Sequence, residues 1–264
     1  MIPRPFPAKP SPSPDRPLRT SELARAAGIH PNTVRLYELW GLIPPVERSP
    51  SNYRRFTQRH LDCLLLARRV YGGGYPGMHI RRAGVKIIQH AVAGDLGGSL
   101  ELAYQYMVLV QSERAMAEAA AALLERWAQG TPSDSTRQVL STHQAAKLLG
   151  VSIDMLRNWE RNGLLDVPRN PENGYRQYGA AELSRLRVIR MLSRAGYSLM
   201  AILRMLIRLD AGQTEGLGEV LDTPRPDEDV FSASDRWLST LDEHVVRAGE
   251  IITQLEEMIQ KESG

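Results

Sequence analysis

The chain has 264 residues, a net charge of +3 and a hydrophobic share of 42%, enough for one large or two modest globular domains. No apolar run approaches the length of a membrane span, and residues 1–17 lack the apolar stretch of a secretory signal, so a cytoplasmic location is expected. The single cysteine, Cys63, excludes an internal disulfide and a cysteine-rich metal site.

The first 17 residues, studded with proline and carrying Arg4, Lys9 and Arg16, read as a disordered tail. A first domain is expected over 18–96. Thr20, Ser21 and Glu22 supply the polar first turn of a helix carrying Leu23, Ala26 and Ala27, and Gly28 stops it. His30 is placed to cap a second helix, Pro31 suits its first turn, and Val34, Tyr37 and Glu38 follow before Gly41. Two short helices across a tight glycine turn form a helix-turn-helix pattern. After Gly41-Leu42-Ile43-Pro44, a loop reaches Asn52-Tyr53-Arg54-Arg55-Phe56, where alternating aromatic and basic residues suit the tip of a hairpin wing. A helix from Gln58 to Tyr71 breaks at Gly74-Tyr75 and resumes through Ile80. Cys63, among Leu61, Leu64 and Leu65, reads as a buried core thiol.

Over 97–128 the residues Leu102, Tyr106, Leu109, Met116, Ala120, Leu123 and Trp127, interrupted only by Glu113, predict a long helix with a heptad seam. Tyr104, Tyr106, Trp127 and Trp237 suit helix packing better than a ligand pocket. Residues 129–139 form a linker.

A second domain over 140–209 then repeats the first at an offset of 122: Thr20, Ala24, Gly28, Arg35, Glu38, Gly41, Leu42, Tyr53, Arg54, Gly74, Tyr75 and Ile80 recur as Thr142, Ala146, Gly150, Arg157, Glu160, Gly163, Leu164, Tyr175, Arg176, Gly196, Tyr197 and Ile202. Residues 210–234, with Gly212, Gly216, Gly218, Pro224, Pro226 and Asp227-Glu228-Asp229, read as a solvated acidic loop. The final 235–264 carry a cleaner seam, Leu238, Leu241, Val245, Ala248, Ile252, Leu255 and Ile259.

The near-neutral total conceals a segregation of charge. Residues 16–82 hold 12 Lys/Arg against 4 Asp/Glu and residues 140–208 hold 11 against 5, whereas 209–264 hold 4 against 14. Basic character belongs to the two repeats, which points to a polyanion, nucleic acid first among them. An enzyme is not expected: the six histidines are scattered, and Gly72-Gly73-Gly74 lacks the Lys-Ser/Thr of a phosphate loop.

The strings Thr33-Val34-Arg35-Leu36-Tyr37-Glu38, Gly41-Leu42, Asn173-Gly174-Tyr175-Arg176 with Tyr178, and Gly196-Tyr197-Ser198-Leu199 resemble the winged-helix signature of the MerR family of bacterial transcription regulators, over roughly 18–90 and 140–208. The first copy departs from it with Ser51 before Asn52 and with Pro76-Gly77 in place of Ser198-Leu199. The resemblance implies a mainly α fold of two winged helix-turn-helix domains. Each would be followed by a long helix, and the two long helices would pair as an antiparallel coiled coil, an intramolecular pseudo-dimer; a homodimer of chains presenting four such domains stays open.

By that resemblance the second helix of each copy enters the major groove of double-stranded DNA and the wing holds phosphates. The DNA-binding residues so implied are Asn32, Thr33, Arg35, Tyr37, Tyr53, Arg54 and Arg55 in the first copy, and Asp154, Met155, Arg157, Trp159, Tyr175 and Arg176 in the second. A guanidinium grips phosphate or reads guanine through two hydrogen bonds, which singles out Arg35 and Arg157. Tyr37 and Trp159 suit core support and DNA contact equally, while Glu38 and Glu160 suit holding helix to wing. The expected function is a sequence-specific transcription regulator that binds two non-identical half-sites and distorts promoter DNA, with RNA polymerase as its partner, a nucleoid-associated location and no cofactor. Two alternatives stand beside it: a DNA-bending architectural or recombination accessory protein, and a regulator in which one repeat serves protein interaction.

Overall fold

In the computed structural model, residues 17–129, 139–223 and 236–263 are described. The proline-rich tail, most of the linker and the acidic run at 227–229 lie outside them. The described chain is mainly helical: α1 (Thr20–Ala26), α2 (Pro31–Leu39), β1 (Glu47–Arg48), β2 (Arg54–Arg55), α3 (Gln58–Tyr71), α4 (Met78–Ala93), α5 (Leu96–Ala128), α6 (Thr142–Leu149), α7 (Ile153–Arg161), α8 (Ala180–Arg194), α9 (Leu199–Asp210), α10 (Leu217–Asp222) and α11 (Trp237–Ser263). α2 and α7, and likewise α3 and α8, start at the same offset of 122 that relates the sequences. The chain divides into two compact units. One comprises Met1–Gly72, Arg81–Tyr106 and Arg247–Gly264, the other Gly73–Ile80 and Met107–Val246.

In the first unit, α1 and α2 pack through Leu23, Ala24 and Val34, and Leu18 exchanges backbone hydrogen bonds with Phe56 at 2.7 and 3.0 Å, closing the wing onto the helices. α3 buries Cys63, Leu64, Leu66, Ala67 and Val70, and burial pushes the Cys63 thiol up to about 11, which makes it an inert core residue. The last turns of α11 run against α3. Gln254 Nε2 donates to the Asp62 carbonyl at 2.7 Å, Lys261 lies 3.6 Å from the Asp62 carboxylate, and Arg69 contacts Glu250 at 3.7 Å as well as Gln254.

The second unit repeats this plan with the other long helix. Leu140 and Tyr178 exchange backbone bonds at 2.9 Å, and α8 buries Leu183, Leu186, Val188, Ile189 and Leu192. Against it lies the end of α5: Trp127 donates its indole N–H to Ser184 at 2.8 Å, and the Tyr197 hydroxyl donates to the Ala117 carbonyl at 3.2 Å. Trp237 donates to the Ala195 carbonyl at 2.7 Å and covers Gly196, whose φ is +93°. A Cβ at that glycine would sit 2.6 Å from the indole, so the close approach requires its absence.

Three sequence expectations need correction. α5 starts at Leu96 and buries Ala103, Tyr106, Val110, Ala117, Ala120 and Leu124; of the expected seam, Leu102 and Leu109 are half-buried while Met116 and Leu123 are each 46% exposed. Ranking positions by bulk favoured Leu and Met over the alanines at which helices approach closely. On α11 the buried series is Trp237, Leu241, His244, Ala248, Ile251, Leu255 and Met258, with Leu238, Val245, Ile252 and Ile259 half-buried on its flank. The loop expected from 210 onward includes α10, which buries Leu217 and Leu221 and is held by the buried Arg204, donating to the Val220 carbonyl at 2.9 Å.

Candidate nucleic-acid interface

α2 is set by its N-cap. The His30 ring accepts from the Asn32 N–H at 3.2 Å, and Pro31 takes the first position, where its missing N–H costs nothing. Ser152 performs the same service for α7, accepting from Met155 N at 3.1 Å. Each helix buries one face: Val34 in α2, Leu156 and Trp159 in α7. Trp159 is 2% exposed, so its ring belongs to the helix core and is not presented to a ligand; Tyr37 at the equivalent position is half-buried, its hydroxyl pKa raised by burial.

The wing of the first repeat is a two-stranded hairpin in which Glu47 pairs with Arg55 and Arg48 with Arg54. Its tip turns at Asn52, whose φ is +64°, where the second repeat uses Gly174 at +71°. Arg48 donates to the Asn52 side chain at 3.3 Å, fixing that tip. In the second repeat Arg169 and Arg176 form the equivalent bridge, and Asn170 N donates to the Tyr175 carbonyl at 2.8 Å. Both tips leave their tyrosine, Tyr53 and Tyr175, 75% exposed.

Helix and wing are joined by one ion pair per repeat. Arg54 Nε donates to Glu38 at 2.6 Å and Arg176 Nε donates to Glu160 at 2.7 Å, all four side chains between 19% and 27% exposed. The Arg176 pKa is raised chiefly by that hydrogen bond, so its charge is secured. These two arginines thus spend part of their guanidinium on fixing the wing, with the remaining N–H groups available outward.

Arg35 and Arg157 are exposed on the outer faces of α2 and α7. Arg35 is steadied by Asn32 at 3.3 Å, and Arg157 lies 3.7 Å from Asp154. Asn32, Arg55, Asp154 and Met155 are exposed and Thr33 half-buried. In the first repeat, Arg35, Tyr53, Arg54 and Arg55 line one open cleft of about 780 Å³ with Arg19 and Ser49. Arg19 went unnoticed in the sequence because it precedes the first helix. Also unnoticed were Leu36 and Leu39 on α2 and Trp40 at its C-cap, all exposed; aligning the repeats at the 122 offset reveals them as apolar where the second repeat has Asn158, Arg161 and Asn162.

Two helix-turn-helix units with wings, each bearing outward arginines, place the chain in the winged-helix class. The family models agree: "MerR HTH family regulatory protein" matches residues 140–208 and "MerR family regulatory protein" matches residues 19–56. A "probable heavy metal-dependent transcriptional regulator" of Haemophilus influenzae is 30% identical over 123 residues, covering 46% of this chain and 81% of that protein. The chain belongs to the MerR family of regulatory proteins, whose members are transcription regulators and not enzymes. It is also 40% identical over 67 residues to the "mercuric resistance operon regulatory protein" of Serratia marcescens (25% of this chain, 46% of that one). With the "HTH-type transcriptional regulator CueR" of Vibrio cholerae it shares 41% identity over 58 residues (22% and 42%). The chain therefore spans about half the length of several relatives it matches. No solved structure matches it significantly. Among the described residues no group of three or more His, Cys, Asp or Glu is placed to hold a metal ion, and no helix is long and apolar enough to cross a membrane.

Proposed function

We propose that the protein is a sequence-specific, DNA-binding transcription regulator in which one chain supplies both clamps of a pseudo-dimer and grips two unlike half-sites. The observation that carries this reading is the repetition of one interface at a fixed offset: an outward arginine on the second helix, an exposed wing tyrosine, and a glutamate–arginine pair locking helix to wing. The surfaces around that shared frame differ, Asn32 and Thr33 standing where the other copy has Asp154 and Met155, so the two halves are suited to different bases. Trp159, 2% exposed, leaves the set of proposed DNA contacts and acts as a support, while its half-buried counterpart Tyr37 remains among them.

The coiled-coil pairing of α5 with α11 belongs to this proposal. It is supported by Tyr104 of α5 donating to Glu256 of α11 at 3.1 Å in the first unit and by Arg114 of α5 pairing with Asp242 of α11 in the second. Two clamps on a stiff connection are what deforming promoter DNA requires, since such distortion costs several kcal/mol. RNA polymerase is then the partner that reads the altered spacing, and the nucleoid the place of work. Base-resolved selection of binding sites tests the reading: two dissimilar half-sites are expected, and a perfect inverted repeat refutes the division of labour. Sedimentation at low concentration tests the pseudo-dimer, with a single chain per DNA-binding particle expected.

A further inference from the structure

Successive residues of an α-helix are turned by about 100°, which places Asn32, Arg35, Leu36, Leu39 and Trp40 on one side of α2, opposite the buried Val34. That side is solvent-facing: Leu36 is 43%, Leu39 78% and Trp40 61% exposed. Three large apolar side chains at i, i+3 and i+4 on an outward helix face are a standing cost in water unless something covers them. In the second repeat the same positions are Asn158, Arg161 and Asn162, whose polar groups bond within α7 and its C-cap. Asn162 Nδ2 donates to the Asn158 carbonyl at 2.7 Å and to its side chain at 3.1 Å, and Arg161 Nε donates to the Arg157 carbonyl at 3.4 Å.

We propose that Leu36, Leu39 and Trp40 read thymine methyl groups in the major groove, giving the first half-site a requirement for A·T pairs that the second half-site lacks. The inference rests on the DNA-binding reading above and names the chemistry that separates its two halves. The apolar stripe is continuous with Arg35, and Arg35 opens onto the cationic cleft with Arg19, Arg54 and Arg55. A polyanion seated there carries its bases onto the stripe, whereas an apolar protein partner would have to cover those arginines too. The nine residues of α2 extend about 13 Å, close to the roughly 12 Å width of the major groove, so Leu39 and Trp40 stay within reach of base edges. The thymine C5-methyl is the one apolar group displayed in that groove. On α7, Asn158, Arg161 and Asn162 offer hydrogen bonds instead and are indifferent to a methyl.

The test uses the intact chain and a selected site in which thymine is replaced by deoxyuridine, one half-site at a time, a change that removes only the methyl. Half-sites are assigned with Arg157→Ala, which weakens protection of the second. Replacement in the first half-site is expected to lower affinity about fourfold for each contacted methyl, the worth of one buried methylene-sized group, and replacement in the second to leave it unchanged. The triple substitution Leu36→Asn, Leu39→Asn and Trp40→Asn, at positions exposed enough to fold normally, is expected to abolish the deoxyuridine effect. Equal losses in both half-sites, no loss in either, or a loss that survives the triple substitution each overturn the inference while DNA binding stands. Absence of any sequence-specific binding overturns the functional reading beneath it.

Discussion

The two repeats share a skeleton and differ in what they spend it on. In the first, Cys63 of α3 and Ile88 of α4 are both buried, and the Cys63 thiol donates to the Ala91 carbonyl of α4 at 4.0 Å; 122 residues on, the positions of Cys63 and Ile88 hold Arg185 and Asp210, joined by two hydrogen bonds of 2.6 and 2.9 Å, with Arg185 also donating to the Leu164 carbonyl. The first repeat caps α2 and the start of α3 with imidazoles, His30 and His60; the second uses Ser152 and Glu182. Duplication has preserved the hydrogen-bond positions while the chemical groups filling them have drifted, and the outward faces have drifted furthest. One copy therefore serves as a control for the other, because the same substitution can be made twice in one molecule.

The largest expected effect separates the two tryptophans of the second helices. Trp159 is 2% exposed and Trp40 61%. Trp159→Ala should lower stability by about 3–5 kcal/mol, as large-to-small core changes do, whereas Trp40→Ala should leave the unfolding temperature within a degree or two. A stable Trp159→Ala protein that has lost only DNA affinity would reverse the assignment of that ring to the core.

Next come the arginines. Arg35→Ala and Arg157→Ala should each weaken DNA binding by about 1–3 kcal/mol and reduce the slope of log affinity against log salt by about one, as losing a phosphate or guanine contact does. If only one of them matters, that repeat alone is the DNA clamp and its sister serves another partner. A smaller effect is expected from the helix–wing pair. Glu160→Ala releases Arg176, and because both side chains are about a quarter exposed the stability cost should be near 1 kcal/mol. The wing then loses its fixed position, so DNA affinity should fall. A rise would mean that Arg176 is a phosphate ligand restrained by Glu160.

The architecture of each repeat could be read from sequence because its punctuation is local: glycines at turns, capping residues at helix starts, and an offset that aligns α1, α2 and α3 with α6, α7 and α8. That Glu38 and Glu160 hold helix to wing was legible for a different reason, the repulsion of a carboxylate by phosphate, but their partners Arg54 and Arg176, 16 residues away, were not. Three further things were hidden. The seam of α5 depends on which alanines approach a partner, and hydrophobic bulk points to the neighbouring residue instead. α10 hides among glycines because its stability comes from Arg204 on α9 and two buried leucines. The exposure of Leu39 and Trp40 defeats a reading in which large apolar residues are core by default.

The finest distinction between the repeats is their response to acid. His60 Nδ1 accepts from Thr57 N at 3.0 Å and lies 2.7 Å from the Thr57 hydroxyl, while Nε2 donates to the Pro45 carbonyl at 3.3 Å. That network needs the neutral ring, since a second proton would turn Nδ1 into a donor facing the Thr57 N–H. Burial lowers the His60 pKa from its ordinary value and nearby Arg59 adds to this; the Pro45 carbonyl, Glu38 and Glu47 pull the other way without overcoming it. With the folded pKa depressed below about 6.5, the unfolded chain binds the extra proton more readily. Stability from this site is then whole above that pH and is lost as pH falls toward the folded value. In the second repeat the cap is Glu182, donated to by Gly179 N at 2.9 Å, with no imidazole in that place. Hydrogen exchange, corrected for intrinsic rates, should therefore show α3 losing protection relative to α8 between pH 7.5 and 5.5. His60→Gln, which supplies the amide that Gln144 uses at the head of α6, should remove the difference. Equal loss in both helices, or a pH response untouched by that substitution, would place the acid sensitivity elsewhere in the chain.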